Sequence, residues 1–161
     1  MPQKTIYVAD KDLALFDRAE ELGGESLSAV IADALRRYVD QKEAEGQGYE
    51  EHIIEVGRWK EDTRQVKVIG RVIASMTRQY GQTSSRDDRG TDYQIYQTRA
   101  GKIVAYWHHW SRHQGERGAA DYVVLDELPG YDQELVGQAY GLELGSLPGN
   151  LIQEVAEAIG N

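Results

Sequence analysis

The residues with the widest chemical reach in this chain are its histidines and the aromatic groups beside them. All four histidines fall late, at His52, His108, His109 and His113, and three of them share the run Y-W-H-H-W-S-R-H over 106–113. Neutral imidazoles suit zinc, copper or nickel, so His108 or His109 with His113, completed by His52 or a carboxylate, is a candidate transition-metal site. The spacing argues against it. On a strand over 102–110, alternation puts Trp107 and His109 on one face and Tyr106, His108 and Trp110 on the other, so the adjacent histidines diverge. The expectation is a partly buried aromatic face, with no metal and no cofactor. Tyr93 and Tyr96 extend that face. Arg71, Arg99 and Arg112, near it in sequence, give it the makings of a surface for a small ligand or a protein.

A second set of polar side chains lies at the start of the chain. Residues 4–8 read as a short strand in which Ile6 and Val8 share one side, and Gln3, Thr5 and Tyr7 share the other. Such a strand has to be held by the helices after it in the chain. Asp10 is placed to cap a helix from Lys11, with Leu13, Phe16 and Ala19 at helical spacing and Leu15 and Leu22 widening the stripe. Gly23-Gly24 stops it. Ser26 is a good N-cap for a second helix whose buried stripe is Leu27, Ile31, Ala34, Leu35 and Tyr38, and whose end over 40–45 is polar.

Gly46-Gln47-Gly48 marks a boundary. Beyond it, 52–56 and 65–74 read as strands, 82–90 as a surface loop, and 92–98 with 102–110 as a hairpin closed by Arg99-Ala100-Gly101. A further strand is expected over 121–125, and helices over 131–140 and 151–159. The domains expected are 1–45, a linker at 46–50, and an antiparallel α+β domain over 51–161.

Composition narrows the class. The 161 residues carry 40% hydrophobic side chains, enough for a packed core, and no cysteine, so there is neither a disulfide nor a thiolate metal site. No apolar run approaches a membrane span, and the first residues lack the apolar stretch of a secretory signal, so a cytoplasmic protein is expected. No P-loop, dinucleotide fingerprint, HExxH or nucleophile elbow is present, and the carboxylates are scattered, so an enzyme is not expected. The net charge is -9. That balance opposes nucleic-acid binding in general, but between Met1 and Ala9 the only charged side chain is Lys4.

The strand T-I-Y-V, the glycine turn and the stretch G-E-S-L-S-A-V-I-A-D-A-L over 24–35 resemble the ribbon-helix-helix regulators of the MetJ, Arc and CopG type. The resemblance implies an intertwined homodimer whose paired strands enter the major groove of double-stranded DNA, with higher assembly into a dimer of dimers. It implies base contacts from Gln3, Thr5 and Tyr7. It implies phosphate contacts from Lys4 and from the start of the second helix at Ser26, Leu27 and Ser28. The function it implies is sequence-specific DNA binding, as a transcriptional repressor associated with the nucleoid. An antitoxin whose later domain binds a toxin, and a DNA-segregation or coating factor, use the same unit and stand as alternatives. Arg78, Arg86 and Arg89 would be auxiliary phosphate contacts or part of a solvated loop. Nickel-responsive members of this class carry a histidine-rich sensor domain, but this chain lacks their cysteine. The whole chain also resembles actinobacterial proteins of the EXLDI type through Y-Q-T-R-A-G-K over 96–102, although it ends E-A-I-G-N.

Overall fold

A computed structural model describes residues 2–59, 61–80, 88–112 and 118–160. The chain is α+β and divides into two compact units, Met1–Gly46 and Gln47–Asn161.

The first unit is helical. A single 3₁₀ turn at Asp10–Asp12 leads into α1 (Leu13–Gly23), and α2 (Leu27–Gly46) comes next. Asp10 does not cap α1: it is taken into the 3₁₀ turn, and Asp12, the residue before α1, makes no side-chain cap. The turn between the helices is as its sequence requires. Gly24 is left-handed at φ 62°, a conformation that glycine adopts without a Cβ penalty. Ser26 then caps α2, its Oγ accepting from the amide of Ala29 at 3.3 Å. At Gly23 a Cβ would lie 2.6 Å from Val30 Cγ2, so the missing side chain lets the end of α1 approach α2.

Residues 2–9 form no strand in the single chain. A strand exists through the ladder it makes with another, and among the described residues the first unit contains no second strand with which residues 4–8 could pair.

The second unit is a closed antiparallel barrel in the order β1 (Glu50–Arg58), β2 (Asp62–Tyr80), β3 (Arg89–Gln97), β4 (Ile103–Ser111), β5 (Ala119–Leu125). The β3–β4 turn closes by bonds from Thr98 N to Lys102 O and from Gly101 N to Thr98 O, both 2.9 Å, with Gly101 at φ 81°. A small sheet of β6 (Leu135–Val136) and β7 (Glu143–Gly145) comes after the barrel, and then α3 (Gly149–Gly160).

Two cores result from the alternation of the strands. One, to which all five strands contribute, fills the barrel: Ile54, Val56, Val68, Tyr96 and Val104 are buried, with Val66, Tyr106 and Tyr122 against them. The other occupies the opposite face of β2–β5. Tyr93, Ile95, Ile103, Ala105 and Trp107 are buried there beneath Leu151, Ile152 and Val155 of α3, which recur at i, i+1 and i+4 on one helix face. Among the described residues no helix is long and apolar enough to cross a membrane.

The helix expected over 131–140 is absent. That stretch holds turns and one short strand, β6, instead, because its amides are committed elsewhere. Asp121, fully buried on β5, accepts from Ala139 N and Tyr140 N at 3.0 Å and from Leu142 N at 3.2 Å. Its Oδ1 also accepts from Tyr122 N at 2.8 Å. A Cβ on Gly137 would lie 2.0 Å from the Asp121 carboxylate, so this carboxylate and the loop around it fit only with glycine there. Asp121→Ala leaves several amides without an acceptor, at about 1–3 kcal/mol for each that stays dry. The expected loss is at least about 3 kcal/mol in the barrel unit. Urea unfolding followed by tryptophan fluorescence measures it, since Trp59, Trp107 and Trp110 all lie in this unit.

Candidate nucleic-acid interface

The polar residues at the start of the chain lie together on an uncovered segment without regular secondary structure. Gln3, Lys4, Thr5, Ile6 and Tyr7 are all exposed, Tyr7 at 97% and Ile6 at 60%. Ser26, Leu27 and Ser28 are found together at the start of α2. The first turn of any α-helix leaves amides without intrahelical partners, and the serine oxygen takes up one of them here. The free amides with the helix dipole make this end suited to an anion.

The helices behind this segment have little of their own to pack against. Among the described residues, Ala44 is the only buried hydrophobic in the first unit. Leu13, Leu15, Leu22, Leu35, Tyr38 and Val39 are exposed, between 48% and 70%. Leu35 and Tyr38, expected in a buried stripe, are therefore outside any core that one copy of the unit forms. The remaining members of that stripe, Leu27 and Ile31, are half-buried, and Ala34 is exposed.

Charge on the unit is mostly paired with itself. Arg18 meets Glu21 at 2.7 Å, Arg37 meets Asp33 at 2.9 Å and Lys42 meets Glu45 at 2.7 Å, all on exposed helix faces. Such pairs stabilise little. They do leave Lys4, Lys11 and Arg36 as the cations of this unit without an acidic partner among the described residues.

In the second unit the histidines part company, as alternation on β4 requires. His109 Nδ1 is 2.7 Å from Thr91 Oγ1 on the neighbouring strand, and Thr91 is 1% exposed. His108 lies on the other face, its Nδ1 3.8 Å from Asp92 Oδ2. Asp92 Oδ1 in turn accepts from Thr77 Oγ1 at 2.8 Å and from Trp110 Nε1 at 3.3 Å. His52 Nε2 is bonded to Gly70 O at 3.1 Å. His113 and Arg86 lie outside the described residues. Among those described, no group of three histidine, cysteine or acidic residues is placed to hold a metal.

The arginines expected around the aromatic face are largely engaged. Arg71 donates to Gln97 Oε1 at 3.2 and 2.7 Å and lies over the Tyr49 ring. Arg112 pairs with the buried Asp88 at 3.0 Å, which also accepts from Gln79 at 2.6 Å. Arg78 lies over the Tyr80 ring. Sequence reasoning missed Asp121, although a lone carboxylate inside the apolar strand A-D-Y-V-V-L is itself a signal of a buried anchor. It also missed Arg58, Trp59 and Tyr80, which line one cleft with Arg89.

Two titrations are set by these surroundings. Burial pushes the Tyr106 phenol up to about 12, so it stays protonated and donates to Glu55 O at 3.0 Å. Burial, and then the neighbouring charge of His108, hold His109 below the ordinary histidine value. The neutral ring is thus favoured on folding, and the unfolded chain binds the extra proton first. Stability of the barrel unit therefore falls as pH drops through about 6.5 and levels off below the folded value of His109. Tryptophan-monitored urea unfolding from about pH 8 to about pH 5 reads this, and His109→Gln should flatten the part of the curve that His109 contributes.

The chain matches no protein-family model, no curated protein and no solved structure.

Proposed function

We propose that the first unit is a ribbon-helix-helix domain that pairs with a second copy and reads double-stranded DNA, and that the protein acts as a transcriptional repressor. The observation that carries this reading is the exposed apolar surface on α1 and α2, next to an exposed segment with no secondary structure of its own. A second copy supplies both at once. Residues 4–8 of two chains pair antiparallel, and Ile6, Leu13, Leu35 and Tyr38 become core. Burying a large apolar side chain contributes about 1.5–3 kcal/mol, so several per chain outweigh the entropy of ordering a short segment.

In the paired ribbon, alternation sends Ile6 and Val8 inward and Gln3, Thr5 and Tyr7 outward. A two-stranded ribbon fits the width of the major groove. Glutamine offers an adenine edge a donor and an acceptor together, and threonine can bond a base or touch a thymine methyl. Tyr7, almost wholly exposed, reaches sugar or phosphate. Ser26, with the amides of Leu27 and Ser28, holds a backbone phosphate at the start of α2. With few free cations, little of the affinity is non-specific, and base contacts carry the discrimination.

Sedimentation equilibrium should give a dimer, and Leu35→Glu should give a monomer that no longer shifts DNA. In a mobility-shift assay on the region upstream of its own gene, the Thr5→Ala/Tyr7→Ala double variant should remain dimeric and bind at least about tenfold more weakly. Lys4→Ala should weaken binding to all sequences and reduce the salt slope by roughly two, one for each copy. A monomeric wild-type protein, or a double variant that binds as tightly as the wild type, would overturn the reading.

A further inference from the structure

A cleft of about 900 Å³ opens where the barrel closes, between the end of β1, the start of β5 and the paired ends of β3 and β4. The closure is short: Gly57 pairs with Ala120 and Arg58 with Ala119, and Trp59 N donates to Gly118 O at 3.0 Å. A volume of this size is at the upper end of what small-molecule sites enclose, and barrel mouths are a usual place for them.

The lining has two characters. Trp59, Tyr80 and Trp110 supply aromatic walls. The Trp110 ring is fixed by its surroundings. Its Nε1 donates to Asp92, and a Cβ on Gly90, its cross-strand partner, would lie 2.4 Å from Trp110 Cζ2. The indole therefore lies directly on the glycine backbone, where any other residue would displace it.

Arg58 and Arg89 supply the second character. Both line the cleft, and neither has an acidic partner among the described residues, in a chain whose net charge is -9. Among the described residues, Glu61 is the single carboxylate in the lining. Two guanidinium groups against one carboxylate, among the described residues, leave a charge of one positive unit, which matches a monoanion better than a doubly charged phosphate. Thr91 and His109 add a hydrogen-bonding edge, with one imidazole nitrogen committed to the threonine at 2.7 Å and the other not bonded among the described residues.

We propose that this cleft binds a small aromatic carboxylate. Its fused rings stack between the tryptophans, and its carboxylate is held by the paired donors of Arg58 and Arg89. This site belongs wholly to the barrel unit and stands whether or not the first unit binds DNA.

NMR of the full chain tests it through the indole N–H signals, with 2-naphthoate and indole-3-carboxylate as probes and 2-naphthamide as the uncharged control. Saturable shifts are expected for Trp59 and Trp110, with Trp107, buried under α3, moving least. The amide should bind at least about tenfold more weakly than 2-naphthoate, a comparison that needs no variant. Arg58→Gln/Arg89→Gln exchanges two exposed side chains and should weaken 2-naphthoate by a similar factor while the Trp107 signal keeps its position. The proposal fails if neither acid gives saturable shifts at millimolar concentration, if the amide binds as well as the acid, or if the double variant binds unchanged.

Discussion

The barrel depends on one strand serving two partners. β2 pairs with β1 over nine residues from Asp62 to Gly70, and with β3 over nine more from Arg71 to Tyr80. A strand can change partners in this way only if it bends between the two ladders. Gly70 sits at the handover, where a Cβ would meet Gln97 O at 2.8 Å. The register then slips between Val72 and Ala74, which leaves Ile73 as an extra residue. A single inserted residue both bends a strand and exchanges its faces. Val66 and Val68 therefore point into the barrel before the slip, whereas Ala74 and Met76 join the core under α3 after it. Without that exchange one of the two cores would lose the β2 contribution.

Closure by bending concentrates the weakness of the barrel at one place. The other ladders run for seven to nine residue pairs, but β1 and β5 share two. A short seam cannot bring the ends of β1 and β5 flush with those of β3 and β4, and the cleft lies in the space left over. Polar anchors brace the same end. Asp88 ties the end of β2 to Arg112 just beyond β4 through Gln79 and the guanidinium group, and each of its carboxylate oxygens has a donor. Buried carboxylates persist only when satisfied in this way. The indole nitrogen of Trp107, by contrast, is buried with no acceptor among the described residues, a cost of about 1–3 kcal/mol that the packing of its large ring offsets.

Much of this was legible in the sequence wherever a local rule decided the outcome. Gly24 and Ser26 set the turn between α1 and α2 because a left-handed residue and a cap are needed there whatever surrounds them. Strand alternation separated His108 from His109 because side chains on a strand diverge by geometry alone. Local rules failed where distant atoms competed for the same backbone. Leu135, Val136, Ala139 and Tyr140 follow helical spacing, yet Asp121 takes the amides of Ala139, Tyr140 and Leu142 that a helix would direct to its own carbonyls. The cleft was hidden for a related reason. Arg58, Arg89 and Trp110 are more than twenty residues from one another in the chain, and the registers of the barrel strands bring them to one place.

The two units reach stability by different means, and this difference bears on what each can do. The barrel buries Ile54, Val56, Ile95, Ile103, Trp107 and Leu151 to 3% exposure or less within one chain. It can present a rigid, preformed site, because the walls of a ligand cleft need no partner to hold them. The first unit cannot do the same. Its helices are fixed at the turn, by Gly23, Gly24 and Ser26, while their apolar faces and the segment before them stay exposed. Under the proposed reading, pairing is what would position the side chains of such a segment, and recognition by Gln3, Thr5 and Tyr7 would be coupled to association. The weak cationic character of the unit sharpens this coupling. Lys4, Lys11 and Arg36 are its cations without an acidic partner among the described residues, so under the proposed reading a single copy would have too little charge to hold a polyanion by electrostatics alone, and pairing would double both the charge and the number of side chains presented.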